Sequence, residues 1–132
     1  MKLIVALLVT FAVACSAEYS KKQIQEVLKL GKQCMQELSI PMNDNVIERI
    51  MYNKEPTRKD MRYLYCALGK FDMLDANDNI IVDKVVDFMV DRYDEQLVRP
   101  LLAKCAKQDD PFVYERLWKF YQCFFTEKSF EL

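Results

Sequence analysis

The chain has 132 residues, with 19 basic and 20 acidic side chains, no histidine and a formal net charge of −1. That balance excludes the electrostatic footprint of a protein that binds nucleic acid or an anionic membrane surface. The missing histidine excludes Ser-His-Asp and Cys-His catalysis, His-ligated zinc and the His-Asp pair of a secreted phospholipase. No glycine-rich phosphate loop is present, and the carboxylates are scattered over polar helix faces in the usual solvated pattern. The chain is therefore expected to be no enzyme and to use no metal and no cofactor.

Residues 1–17 read as a secretory signal peptide. Lys2 supplies the positive charge, Leu3 to Val13 the apolar stretch, and Cys15-Ser16-Ala17 a small-residue cleavage site. The apolar run is too short to span a bilayer comfortably, so no stable membrane insertion is expected. Residues 18–132 then form one domain, secreted and extracellular, without an N-x-S/T glycosylation site.

Glycine is nearly absent, at Gly31 and Gly69 alone, and no alternating runs bounded by Asn-Gly or Asp-Gly turns occur. The periodicity is helical throughout. A first helix starts at Ser20 with Gln23 completing a capping box. It carries Ile24, Val27, Leu28, Gly31, Met35 and Leu38 on one stripe and ends at Ser39-Ile40-Pro41. A short second helix is expected from about Asp44 to Tyr52. Thr57 and Asp60 open a third, with Met61, Leu64, Tyr65 and Leu68 inward, stopping near Phe71.

The stretch Asp75-Ala76-Asn77-Asp78-Asn79 mimics the first half of a calcium loop. Ile80 occupies the required glycine position and Val86 the twelfth-position glutamate, so it reads as a solvated turn. A fourth helix is expected from about Ile81 to Arg92, burying Val82, Val85, Val86, Met89 and Val90. A fifth runs from about Asp94 to Lys107, with Leu97, Val98, Leu101, Leu102 and Cys105 inward. Pro100 either kinks it or marks its true first residue. Asp110-Pro111 supplies an N-cap and first position for a sixth, with Tyr114, Leu117, Trp118, Tyr121 and Phe125 along one face.

Beyond the leader, which contains Cys15, four cysteines remain: Cys34, Cys66, Cys105 and Cys123, with 31, 38 and 17 residues between them. Those gaps are too long for a zinc finger or a C-x-x-C pair and suit disulfides tying helices together in an oxidising compartment. Four cysteines allow three pairings. Chain entropy modestly favours the sequential one, Cys34 with Cys66 and Cys105 with Cys123, without deciding it.

This joint spacing, over the whole chain after the leader, resembles the insect odorant-binding proteins of the pheromone/general odorant-binding superfamily, in their four-cysteine "minus-C" form. In the usual six-cysteine pattern the third follows the second after three residues and the sixth follows the fifth after eight. Cys34, Cys66, Cys105 and Cys123 match the first, third, fourth and sixth, while Arg62 and Tyr114 stand in the second and fifth places. Those two places are bonded to each other in the family. The chemosensory proteins also have four cysteines but much shorter gaps.

The resemblance implies an all-α fold, a compact single domain of about six helices around an internal hydrophobic cavity. It implies two disulfides in the sequential pairing. It further implies proximity of Arg62 and Tyr114, where a cation–π or packing contact would replace the missing bond. Function would be carriage of a small hydrophobic ligand such as an odorant, pheromone or other apolar semiochemical. The expected pocket is on the order of 300–1,000 Å³, lined from helices three to six and the tail. The helix faces nominate Leu64, Leu68, Val86, Met89, Leu101, Leu117, Phe120, Phe124 and Phe130, with Phe130 as a plug over the mouth. A small apolar ligand is the expected partner, with a membrane receptor as an optional second, and the chain as a monomer or weak homodimer. The rival reading is a secreted helical module that sequesters a molecule or acts by protein contact. A filled core beneath a large exposed apolar patch would favour that rival.

Overall fold

The structure, a computed structural model, describes residues 19–128. The leader expected over residues 1–17 and the plug residue Phe130 lie outside the described residues. Among the described residues there are six α-helices and no strand: α1 Lys21–Glu37, α2 Val46–Tyr52, α3 Met61–Lys70, α4 Val82–Met89, α5 Glu95–Cys105 and α6 Val113–Glu127. The fold is all-α, as the periodicity and the resemblance both indicate.

The helix starts are chemically specified. At α1 the Ser20 hydroxyl accepts from the Gln23 amide (3.1 Å) and the Gln23 Oε1 accepts from the Ser20 amide (2.7 Å), which satisfies two otherwise orphaned donors. Gln23 is fully buried, and its Nε2 donates to the Phe88 carbonyl at 2.6 Å. The capping side chain thus also ties α1 to the end of α4. Before α3, the Asp60 carboxylate accepts from the Thr57 amide at 2.9 Å, and one 3-10 turn, Arg58–Asp60, leads into the helix. Left-handed residues end α1 and α2, Ser39 at φ 56° and Asn53 at φ 51°. Asparagine tolerates that conformation because its short polar side chain bonds locally.

Asp60 is buried, yet it is charged and paired. Arg49 on α2 donates to both its oxygens, Nε at 2.9 Å and Nη2 at 2.8 Å, and also reaches Asp44 at 2.9 Å. Burial pushes the Asp60 carboxyl up, but the Arg49 hydrogen bonds and charge, together with the Thr57 amide, outweigh it and hold the group below its ordinary range. The same contacts raise the Arg49 guanidinium.

The expectations for the start of α6 and for Leu97 and Val90 are corrected, and the open choice at Pro100 is decided. Helix α6 begins at Val113 with Phe112 at the cap. Asp110 instead closes a turn, accepting from the Phe112 amide at 2.9 Å, because a short Asx side chain reaches the amide two residues on as readily as it caps a helix. Leu97 and Val90 are 51 % and 41 % exposed, not inward. Leu97 lies one residue, about 100°, away from the buried stripe of Val98, Leu102 and Cys105, and Val90 lies past the end of α4. Pro100 sits inside α5, which begins at Glu95 under the Asp94 cap. The helix accepts a missing hydrogen bond there, on its exposed side.

The loop at 75–79 is a turn. The Asp75 carboxylate accepts from the amides of Asn77 (2.8 Å) and Asn79 (2.9 Å), and an isolated antiparallel bridge pairs Leu74 with Ile80.

Helix α3 is central, packing on both α1 and α6, while α5 joins α6 to α4. Cys34–Cys66 bonds α1 to α3 with Cα atoms 5.9 Å apart, and Cys105–Cys123 bonds α5 to α6 at 5.5 Å. The pairing is the sequential one. The α3–α6 junction has no disulfide. Tyr114 there stacks obliquely on Tyr65, ring centroids 5.4 Å apart, and is not in a cation–π contact with Arg62, which is exposed. The Tyr65 hydroxyl donates to Asp78 Oδ1 (2.9 Å), Arg116 donates to the Asp78 carbonyl (2.9 Å), and Arg58 pairs with Glu115. Polar and ring contacts, rather than a covalent bond, hold this joint.

Candidate ligand cavity

The helices line a half-open cavity of about 140 Å³, smaller than the range expected from sequence. All six contribute. Helix α3 supplies Tyr63, Leu64, Ala67 and Leu68; α6 supplies Phe120, Tyr121, Phe124 and Phe125; and α4 supplies Val85, Phe88 and Met89. Val27 of α1, Ile50 and Met51 of α2, and Leu102 of α5 close the sides, with Tyr19, Phe71 and Met73. The two long faces come from α3 and α6 because their apolar residues recur at i, i+3 and i+4. Every position on such a stripe points to the same neighbour. None of these residues is charged, and the only polar side-chain atoms among them are tyrosine hydroxyls.

The nominated residues separate. Leu64, Leu68, Met89, Phe120 and Phe124 are brought together around this space. Val86 and Leu117 are fully buried in the packed core and do not border it. Leu101 is half-buried on the stripe of Leu97 and also lies off it. Helix periodicity does not single out Tyr63, because Met61, Leu64, Tyr65 and Leu68 already account for the α3 stripe and Tyr63 falls beside it. Val27 of α1 and Ile50 and Met51 of α2 lie on apolar helix faces, but periodicity says which face is buried and not whether that face meets packed atoms or space.

The aromatic wall is ordered by ring contacts. Phe71 meets Phe88 edge-on at 5.1 Å, Tyr121 lies 4.8 Å from Phe125, and Phe124 meets Phe125 edge-on at 5.4 Å. The Lys128 ammonium stands over the Phe125 ring at 5.4 Å. At the other side the Tyr19 hydroxyl donates to the Met51 carbonyl at 2.7 Å, fixing the start of the described chain against α2. The Tyr63 hydroxyl is different. It is buried and has no hydrogen-bond partner, and burial pushes its phenol well above the usual range.

Chemically the cavity offers apolar burial and ring surface. Among the described residues, no group of three or more His, Cys, Asp or Glu side chains is placed to hold a metal, and no helix is long and apolar enough to cross a membrane.

A family model described as the PBP/GOBP family matches residues 16–127 of the chain. Comparison with curated proteins and comparison with solved structures each found no match.

Proposed function

Since the chain belongs to the PBP/GOBP family, the pheromone- and general-odorant-binding proteins, a family of binders and carriers rather than enzymes, we propose that it is a secreted carrier that holds a small hydrophobic ligand in the internal cavity. The observation that carries this reading is the cavity wall: eighteen residues from every helix, none of them charged. Burial of a ligand there is favourable by about 25 cal/mol per Å² of apolar surface. Flexible Met51, Met73 and Met89 beside rigid rings let the wall adapt to shape. The two disulfides fit an oxidising, extracellular compartment, and with it a leader over residues 1–17. A single modified joint, α3–α6, fits the minus-C subclass. The rival protein-contact reading asks for a filled core, and the cavity speaks for the carrier.

Native mass spectrometry of the protein purified under non-denaturing conditions tests this: a non-covalent small molecule, lost on unfolding, is expected. A protein that carries nothing and takes up no apolar probe would refute the reading. Deleting residues 126–132 tests the plug role of Phe130, with faster ligand release expected. With no histidine in the chain, binding should not titrate around pH 6.5; a midpoint there would contradict the account.

A further inference from the structure

The cavity has a floor and a rim. Twelve of its eighteen lining residues are buried. The other six, Tyr19, Val27, Ala67, Phe71, Phe88 and Phe125, are half-buried and stand where the wall meets solvent. None of the eighteen is charged, so a charged group drawn to the floor would be buried without a partner, which is strongly disfavoured. Hydrocarbon can enter, and a charged head stays at the rim. Because the cavity is half-open, a chain longer than the space is not excluded, since its head end can remain outside.

Lys128, the residue that ends α6, stands beside that rim. Its ammonium lies 5.4 Å from the centre of the Phe125 ring, 5.9 Å from Phe124 and 5.7 Å from Tyr93. Phe125 belongs to the rim and Phe124 to the floor. Lys128 is half-buried, and among the described residues no carboxylate pairs with it. Every other lysine of residues 19–128 is exposed or, at Lys70, half-buried and paired with Glu37 at 2.6 Å. The adjacent Glu127 is engaged by Lys104. A half-buried ammonium exchanges part of its hydration for ring faces, which attract a cation but carry no net charge. A carboxylate is the partner that completes it, through charge-assisted hydrogen bonds about twice as strong as neutral ones.

We propose that Lys128 is a specificity-determining residue: it anchors the carboxylate of a single-chain fatty acid whose hydrocarbon lies in the cavity. This rests on the carrier reading above and narrows it to an anionic amphiphile. Lys128 does not line the cavity; it holds the head group outside the apolar wall, next to Phe125. The chain is thereby oriented, with its methyl end toward the buried floor and its acid end toward the last turn of α6. The C-terminal end of a helix carries a partial negative charge that works against an anion. The ammonium therefore decides the sign at this place, and without it the preference for an acid should vanish rather than merely weaken.

The test uses the full chain with both bridges formed, as wild type, Lys128→Met and Lys128→Arg. Methionine keeps an apolar stem against the rings and removes the charge; arginine keeps both the charge and the ring contact. Three probes with one chain and different heads are titrated by calorimetry at low ionic strength: dodecanoate, dodecanol and dodecylammonium. Wild type should bind dodecanoate the most tightly. Lys128→Met should weaken dodecanoate about three- to tenfold, the range from an exposed to a partly buried ion pair, leave dodecanol unchanged and tighten dodecylammonium. Lys128→Arg should restore dodecanoate, and added salt should reduce the difference between wild type and Lys128→Met. Equal effects of Lys128→Met on all three probes, as a merely structural role would give, would overturn the role of Lys128. Tighter binding of dodecanol than of dodecanoate to wild type would overturn the anionic class. Either result would leave the carrier reading standing. Uptake of none of the three would fail the carrier reading itself, and this proposal with it.

Discussion

The joints between helices differ in kind. Helix α1 is bonded to α3, and α5 to α6, through sulfur; α3 meets α6 through the Tyr65–Tyr114 ring contact, the Arg58–Glu115 pair and hydrogen bonds converging on Asp78. A disulfide acts largely on the unfolded chain, lowering its entropy whatever the native packing does. Ring and ion contacts act only while their geometry holds. The two walls of the cavity that meet at the unbonded joint are therefore the two free to shift relative to each other. The molecule is held at its flanks and adjustable across the space it encloses.

The largest expected effect is at the bonded joints. Cys34→Ser with Cys66→Ser, or Cys105→Ser with Cys123→Ser, should each cost about 3–4 kcal/mol in urea unfolding, with the longer loop costing slightly more. A loss under about 1 kcal/mol would remove the contrast between the joints. The converse variant, Arg62→Cys with Tyr114→Cys, should form a third bridge on oxidation, raise stability by about 2–3 kcal/mol, and narrow the range of ligands bound. Failure of these thiols to pair, read by mass spectrometry, would show that their Cα atoms lie beyond disulfide reach and that the alignment with the six-cysteine pattern is misplaced.

A third kind of joint links α2 to the start of α3 through Arg49 and the buried Asp60. Arg49→Met should cost about 2–3 kcal/mol by leaving that carboxylate without its partner. The sign with pH follows from the lowered Asp60 value. Its stabilisation is complete above the unfolded carboxylate pKa, about 4, and is lost as pH falls through the lower folded value. Wild type should thus lose stability on acidification below about pH 4, and Arg49→Met should lose less over the same window. Equal acid slopes would contradict the assignment.

Within the bonded α1–α3 joint, Gly31→Ala should cost about 1–3 kcal/mol by overpacking against Tyr63 and Ile47. Combining it with Tyr63→Phe should recover most of that loss. Additive losses in the double variant would mean the contact is elsewhere. At the unbonded joint, Tyr114→Ala should cost about 1 kcal/mol, the scale of one aromatic pair, and Arg58→Ala less still, as an exposed ion pair does. Hydrogen exchange at the start of α6 should rise in both and stay unchanged at Cys105 and Cys123.

Much of this was legible in the chain. Ser20 with Gln23, and Thr57 with Asp60, mark helix starts because capping chemistry is local and needs no tertiary partner. Loop closure favoured two sequential staples without deciding them, and the vacant third place at Arg62 and Tyr114 came from the resemblance to the six-cysteine pattern. Where local and tertiary demands compete, sequence reading loses precision. Asp110 suits a helix cap and an Asx turn equally, and the choice of turn came with its Lys119 and Arg116 contacts. Leu97 and Val90 are as apolar as their buried neighbours, and only the direction of the packed faces leaves them in solvent.

By itself, then, the sequence determined the helices, most of their apolar stripes and the family resemblance, which follow from periodicity, capping and spacing along the chain, while the pairing of the two cross-links came only as what that resemblance implies. Only the tertiary structure decided which buried faces meet atoms and which meet space. Val86 and Leu117 share the stripes of Met89 and Phe120 yet pack solidly, while Tyr63, off its stripe, borders the cavity. The physical reason is that burial is a property of one helix face, whereas a cavity is a mismatch among six, and no single stretch of chain encodes that mismatch.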